Sequence, residues 1–307
     1  MKHSIYKTCL DNFKSSAKGK RFLREYFGKK QVTHEDFFEL CIDSAINFNK
    51  ETVGSLVLMK EESEWSKIGF PTIFIDNLEV LHTLKVARFS FKSDSIQRPF
   101  DTFSISFPEG TYIEGQEVKN CLVSIRSKRE WFDVFSGGEA HTTCVKDRKA
   151  ESNDEDDQIL KISYSIDGDN IMEQRLLLSD IEEIDFDEQE LSHWDRLAKQ
   201  MVKIVISLCI YNSATEGKKL VAGFPKSALK LPKGSSKLRY KGSTLFGNNK
   251  NHQNNNSTRK IKYRVPFYRN LRAKRYYQGE YKDLQQGSRW VLVKEIDLTN
   301  NLQTLIN

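Results

Sequence analysis

The segment from about Glu188 to Asn212 constrains this chain most. Leu191, Trp194, Ala198, Met201, Val205 and Leu208 recur at steps of three and four residues, the spacing of one helix face. From Ile204 to Tyr211 the stripe widens until nearly every side is apolar. Such a helix must be covered all round, so the rest of the chain has to build a core about it. With 307 residues, 38% hydrophobic and 11% aromatic, it has the material to do so.

The same run, even as the longest apolar stretch, falls far short of the roughly 20 residues of a membrane span. Met1-Lys2-His3-Ser4-Ile5-Tyr6-Lys7 carries no apolar run after its charges, unlike a secretory signal. The five cysteines are odd in number and include no Cys-x-x-Cys pair. That pattern offers neither a disulfide framework nor a zinc ribbon. The expectation is a cytoplasmic protein with no membrane partner.

Upstream, two helices are predicted. Leu10–Phe27 places Leu10, Phe13, Ala17, Phe22, Leu23, Tyr26 and Phe27 loosely on one face, with Gly19 weakening it and Gly28 as its stop. Thr33 and Asp36 form a capping pair ahead of Phe37, Leu40, Cys41, Ser44, Ala45 and Phe48. From Gly54 to Leu178 the period shortens to two. Strands are predicted at Ser55–Met59, Thr72–Ile75, Lys85–Phe91, Thr102–Phe107, Cys121–Arg126, Trp131–Phe135, Ile159–Ile166 and Gln174–Leu178. Ile159–Ile166 and Ile171–Leu178, flanking Asp167-Gly168, read as a hairpin. Glu151–Asp157 reads as a solvated acidic loop. Near the C-terminus, Ala273–Tyr277 and Arg289–Ile296 read as two further strands.

The expected fold class is α+β. A largely antiparallel curved sheet of about eight strands packs on the long buried helix, with two N-terminal helices and a basic C-terminal hairpin. Residues 1–212 form the α+β core domain. Residues 213–258, ending in the Asn-rich tract Asn248–Asn256, form a Lys/Gly/Asn-rich flexible loop or linker. Residues 259–307 form a basic aromatic hairpin packed on the core.

Charge is unevenly laid out. Lys218–Lys294 holds twenty Lys and Arg against Glu280 and Asp283, a net +18. Glu151–Glu190 holds fifteen acids against Lys161 and Arg175, a net −13. The two regions either satisfy one another within the fold or present surfaces to outside partners.

The chemistry-bearing motifs are few. His141 and Cys144 are the only close His/Cys pair and lack two further zinc ligands. Asp154–Asp157 and Glu182–Asp187 have the oxygen ligands a divalent cation needs, but the first lacks a Gly-centred loop spacing and the second leads into a helix start, where acids are favoured anyway. No P-loop, dinucleotide fingerprint or Gly-x-Ser-x-Gly elbow occurs. No metal and no cofactor is expected. The distinctive stretch is Arg259–Tyr277 with Ser288–Val293, where Arg and Lys alternate with Tyr, Phe and Trp. Cations neutralise phosphates and aromatic rings stack bases. Arg264, Arg269, Arg272, Lys274, Arg275, Tyr276, Tyr277, Arg289 and Trp290 are therefore the candidate nucleic-acid contacts. On a strand, Arg272, Lys274 and Tyr276 share one face. A hairpin with a buried aromatic face and a solvated basic face fits the same residues.

Val205-Ile206-Ser207-Leu208-Cys209-Ile210-Tyr211-Asn212, a polar loop, and then Ser288-Arg289-Trp290-Val291-Leu292-Val293 follow in order. That order resembles a broad group of uncharacterised phage and bacterial proteins. Their C-terminal segment carries an Arg-Gly-His-Trp-Arg-like run and then a Trp-Ile or Trp-Val strand. Arg272-Ala273-Lys274-Arg275-Tyr276 stands where that run falls, with Ala for Gly and Lys for His. The resemblance covers the last third of the chain and implies a phage or mobile-element setting.

The function expected is that of a non-enzymatic accessory protein binding nucleic acid or nucleoprotein through the basic C-terminal segment. A protein–protein module acting on a host protein or on itself is the alternative, and an enzyme whose site assembles only in three dimensions is the third.

Overall fold

The computed structural model describes residues 1–28, 31–48, 53–89, 96–130, 157–166, 170–179, 192–226, 228–246 and 267–293. In chain order the elements are β1 (His3–Ser4), α1 (Cys9–Ser15), α2 (Ala17–Phe27), α3 (His34–Phe48), α4 (Val53–Lys67), β2 (Thr72–Ile75), α5 (Leu78–Val86) and β3 (Thr102–Ser106). There follow β4 (Tyr112–Ile113), β5 (Gln116–Glu117), β6 (Asn120–Ser127), β7 (Gln158–Ile166), β8 (Asn170–Leu177) and α6 (His193–Ala214). The last are β9 (Leu220–Ala222), β10 (Leu229–Lys230), β11 (Thr244–Phe246), β12 (Phe267–Asn270) and β13 (Trp290–Val293). The protein is mixed α+β. Its largest sheet has seven strands in the order β8-β7-β6-β3-β2-β11-β9. The sheet is mixed, with β2 and β3 parallel and β3, β6, β7 and β8 successively antiparallel. Among the described residues no helix is long and apolar enough to cross a membrane.

Several local expectations change. Leu10–Phe27 is two helices, because Ser16 is extended (ψ 148°) and its Oγ caps Gly19 N–H at 2.9 Å. Gly19 thus lies in the first turn of α2, where an added Cβ would sit 2.1 Å from the Phe13 carbonyl oxygen. Ser55–Met59 is helical, within α4. A short apolar run satisfies either period, and the charged residues after it, Lys60 to Glu62, are buried as well. The described part of the expected strand Lys85–Phe91, residues 85–89, begins in a helix instead: α5 runs to Val86, started by Asn77 Oδ1 accepting from Glu79 and Val80 N–H at 2.8 and 3.3 Å; Ser90 and Phe91 lie outside the described residues. The described parts of the expected linker, 213–226 and 228–246, carry β9, β10 and β11. Trp131–Phe135, most of the Glu151–Asp157 loop and the Asn-rich tract lie outside the described residues. Other expectations hold. Gly28 ends α2 in the left-handed region (φ 58°), and Thr33 and Asp36 cap α3 reciprocally at 3.0 Å.

The chain divides into two discontinuous units. The first comprises Met1–Phe74, Phe100–Leu178 and Ala222–Thr244. Its β3-β6-β7 ladder has two unlike faces, which the register defines. Phe103, Ile105, Cys121, Val123, Ile125, Leu160, Ile162 and Tyr164 form a buried apolar face. The opposite face carries Thr102, Ser104, Ser106, Ser124, Arg126, Lys161 and Ser163, also buried. α4 lies over it through Glu61, whose Oε2 accepts from Thr102 Oγ1 at 3.4 Å and faces Arg126 Nε at 3.8 Å. Burying two charges is tolerable only as a set: Arg126 also donates to Thr102 Oγ1 at 2.7 Å.

The second unit comprises Ile75–Pro99, Ser179–Val221 and Leu245–Asn307. In it α6, capped by Ser192, is buried from Met201 to Tyr211. Tyr211 meets Phe246 and Tyr268 edge-on at 5.1 and 6.3 Å.

Candidate nucleic-acid interface

The basic segment folds on a two-stranded ladder in the second unit. β12 and β13 pair antiparallel, Phe267 to Asn270 opposite Val293 to Trp290. The long connection between them is not a strand. Lys274–Tyr276 and Gly279–Tyr281 are single 3₁₀ turns. This corrects the expected strand Ala273–Tyr277 and the facial sharing of Arg272, Lys274 and Tyr276. Phe267–Asn270 takes the pairing edge of β13, and Gly279 and Gly287 turn the chain at positive φ (62° and 96°).

Side chains hold the connection in shape. The Tyr277 hydroxyl accepts from the Gly287 and Arg289 N–H groups at 2.6 and 3.1 Å. Asn270 Nδ2 donates to Gly287 O, and Gln286 Nε2 to Arg272 O, both at 2.6 Å. The Arg289 guanidinium lies 3.4 Å from the Tyr281 ring centroid and donates to the Tyr276 carbonyl. The Tyr281 hydroxyl donates to Glu216 at 3.3 Å.

The structure separates the candidate residues by role. Arg269, Arg272, Lys274 and Arg275 are exposed. Among the described residues no carboxylate lies within ion-pair distance of them. Arg275 donates to the Tyr276 hydroxyl at 3.0 Å, which lowers the Tyr276 pKa. Tyr277 and Arg289 are half-buried and engaged in the connection. Trp290, 3% exposed, is core. Arg264 lies outside the described residues. Tyr281, against the Arg289 guanidinium, is a further aromatic ring on the connection; sequence reading missed it because a lone Tyr in a loop carries no periodic signal.

Among the described residues no three His, Cys, Asp or Glu side chains could hold a metal. His141, Cys144 and Glu182–Asp187 lie outside them. No protein-family model, curated protein or solved structure matches the chain.

Proposed function

We propose that the protein binds nucleic acid through the β12–β13 connection, as a non-enzymatic accessory protein. The observation that carries this reading is the exposed set Arg272, Lys274 and Arg275 on a connection held by the Tyr277 hydroxyl, with exposed Arg269 on β12 beside it, none of them within ion-pair distance of a carboxylate among the described residues. A connection held in one backbone shape presents its cations to phosphates at lower entropic cost than a mobile loop, and guanidiniums bind phosphates bidentately. Tyr276 and Tyr281 add ring faces for stacking. The resemblance of the last third of the chain to phage and bacterial proteins sits with this reading. Gel-shift titration with single- and double-stranded DNA and RNA tests it: binding at low salt supports it, and no shift with any of the four would overturn it.

A further inference from the structure

We propose that the first unit carries a separate small-molecule site for a sugar-phosphate-sized anion, independent of the nucleic-acid reading. A cavity of about 430 Å³ opens in this unit, within the range of small-molecule sites. Ser4, Tyr6, Lys7, Asn120, Ser165 and Lys230 line it. The N-terminal strand makes one wall: β1 pairs parallel with β10, and Ile5 N–H donates to Lys230 O at 3.1 Å. The sheet makes another. Asn120 ends the polar face of β6, and its Nδ2 donates to Ser4 Oγ at 3.1 Å.

The charges select the ligand. Lys119 faces Glu117 at 3.4 Å, and Glu117 also accepts from Gly110 N–H at 3.2 Å, so this pair is internally satisfied. Lys7 and Lys230 remain, against the single carboxylate of Glu109. Behind the wall, Tyr6 donates to Glu62 at 3.2 Å. Burial raises the Glu62 pKa to about 8, so this carboxyl is mostly protonated at neutral pH and does not repel an anion. Lys161 stands 3.3 Å from Glu173 and compensates it. The lining thus carries three lysines against two glutamates, a formal surplus of one positive charge, with Lys7, Lys230 and Glu109 at the exposed rim. Ser4, Asn12, Asn120 and Ser165 offer hydroxyl and amide groups, beside an apolar side made by Ile5, Ile171, Leu231 and Pro232. A phosphate on Lys7 and Lys230 with sugar hydroxyls on Ser4, Asn120 and Ser165 matches that distribution.

The test is a thermal-shift and calorimetric titration of the full chain with ribose 5-phosphate, inorganic phosphate and ribose at millimolar concentration. Ribose 5-phosphate is expected to bind and raise Tm, phosphate more weakly, and ribose not measurably. Each of Lys7→Ala and Lys230→Ala should weaken binding by about tenfold, the weight of a charge-assisted hydrogen bond, with the ligand-free Tm unchanged. The variant R272A/K274A/R275A should bind ribose 5-phosphate as the native chain does, which separates this site from the nucleic-acid surface. Absence of binding, or equal affinity in the lysine variants, would overturn the proposal. Equal affinity for phosphate and ribose 5-phosphate would overturn the sugar assignment.

Discussion

Glu62 accepts the Tyr6 hydroxyl at 3.2 Å while both side chains are almost fully buried. The Cys9 N–H adds bonds of 3.0 and 2.8 Å to the same carboxyl. These donors favour the ionised form, yet burial outweighs them and the Glu62 pKa rises to about 8.

That shift has a stability sign. Between the ordinary value of 4.5 and about 8, the unfolded chain ionises Glu62 and the folded chain keeps it protonated. The folded state binds more protons there, so the contribution of Glu62 is full below 4.5 and is lost as pH rises to 8. The slope approaches about 1.4 kcal/mol per pH unit. Glu62→Gln, which keeps an acceptor for Tyr6 or Cys9, should flatten urea-derived stability between pH 6.5 and 8.

His34 acts in the opposite sense. Burial first, then the Arg239 guanidinium 3.2 Å from Nε2, lowers its pKa from 6.5 to about 4, with Lys14 adding to the effect and Asp11 opposing it. The unfolded state binds the extra proton, so stability is lost as pH falls from 6.5 towards 4. Between pH 4.5 and 6.5 the two slopes oppose each other. The native chain should be nearly flat there. His34→Gln should expose the Glu62 slope, falling with pH, and Glu62→Gln the His34 slope, rising with it.

Gly19→Ala should destabilise by about 1–3 kcal/mol, as overpacking does, although alanine is the better helix former. The new Cβ meets the Phe13 carbonyl oxygen at 2.1 Å, where Ser16 breaks α1 from α2. Denaturant melting checks it; a gain in stability would mean the junction yields freely.

Trp290→Ala should cost about 3–5 kcal/mol, and Trp290→Phe much less, with nucleic-acid binding kept. Trp290 is 3% exposed and cannot serve as a stacking platform without leaving the core. Melting and binding measured together distinguish the two roles.

What the sequence disclosed, and what it hid, follows from the range of the forces involved. Caps are local, so Thr33 with Asp36 and the Gly28 stop were legible. The β7–β8 pairing was legible from alternation on both sides of Asp167-Gly168. Ser55–Met59 and Lys85–Phe91 misled because runs with only four apolar residues each satisfy either period, and the Asn77 cap was overlooked. Thr-Phe-Ser-Ile-Ser in β3 alternates as a strand with one wet face would, yet the polar face is buried beneath α4. Burial of that kind depends on Glu61 and Arg126 meeting across 65 positions of chain, which no local pattern encodes. The exposed cations of the β12–β13 connection were named from composition, but their 3₁₀ geometry depends on Tyr277 reaching Gly287, a contact without periodicity.

The central claim is tested most directly by fluorescence anisotropy of a labelled oligonucleotide with the native chain and with R272A/K274A/R275A. If four phosphate contacts form, native affinity should fall roughly 50- to 150-fold between about 50 and 200 mM salt. In the triple variant, affinity at low salt should collapse and the salt slope should shrink by about 0.7–0.9 per contact removed. Native and variant chains binding alike, or neither binding at low salt, would contradict the account.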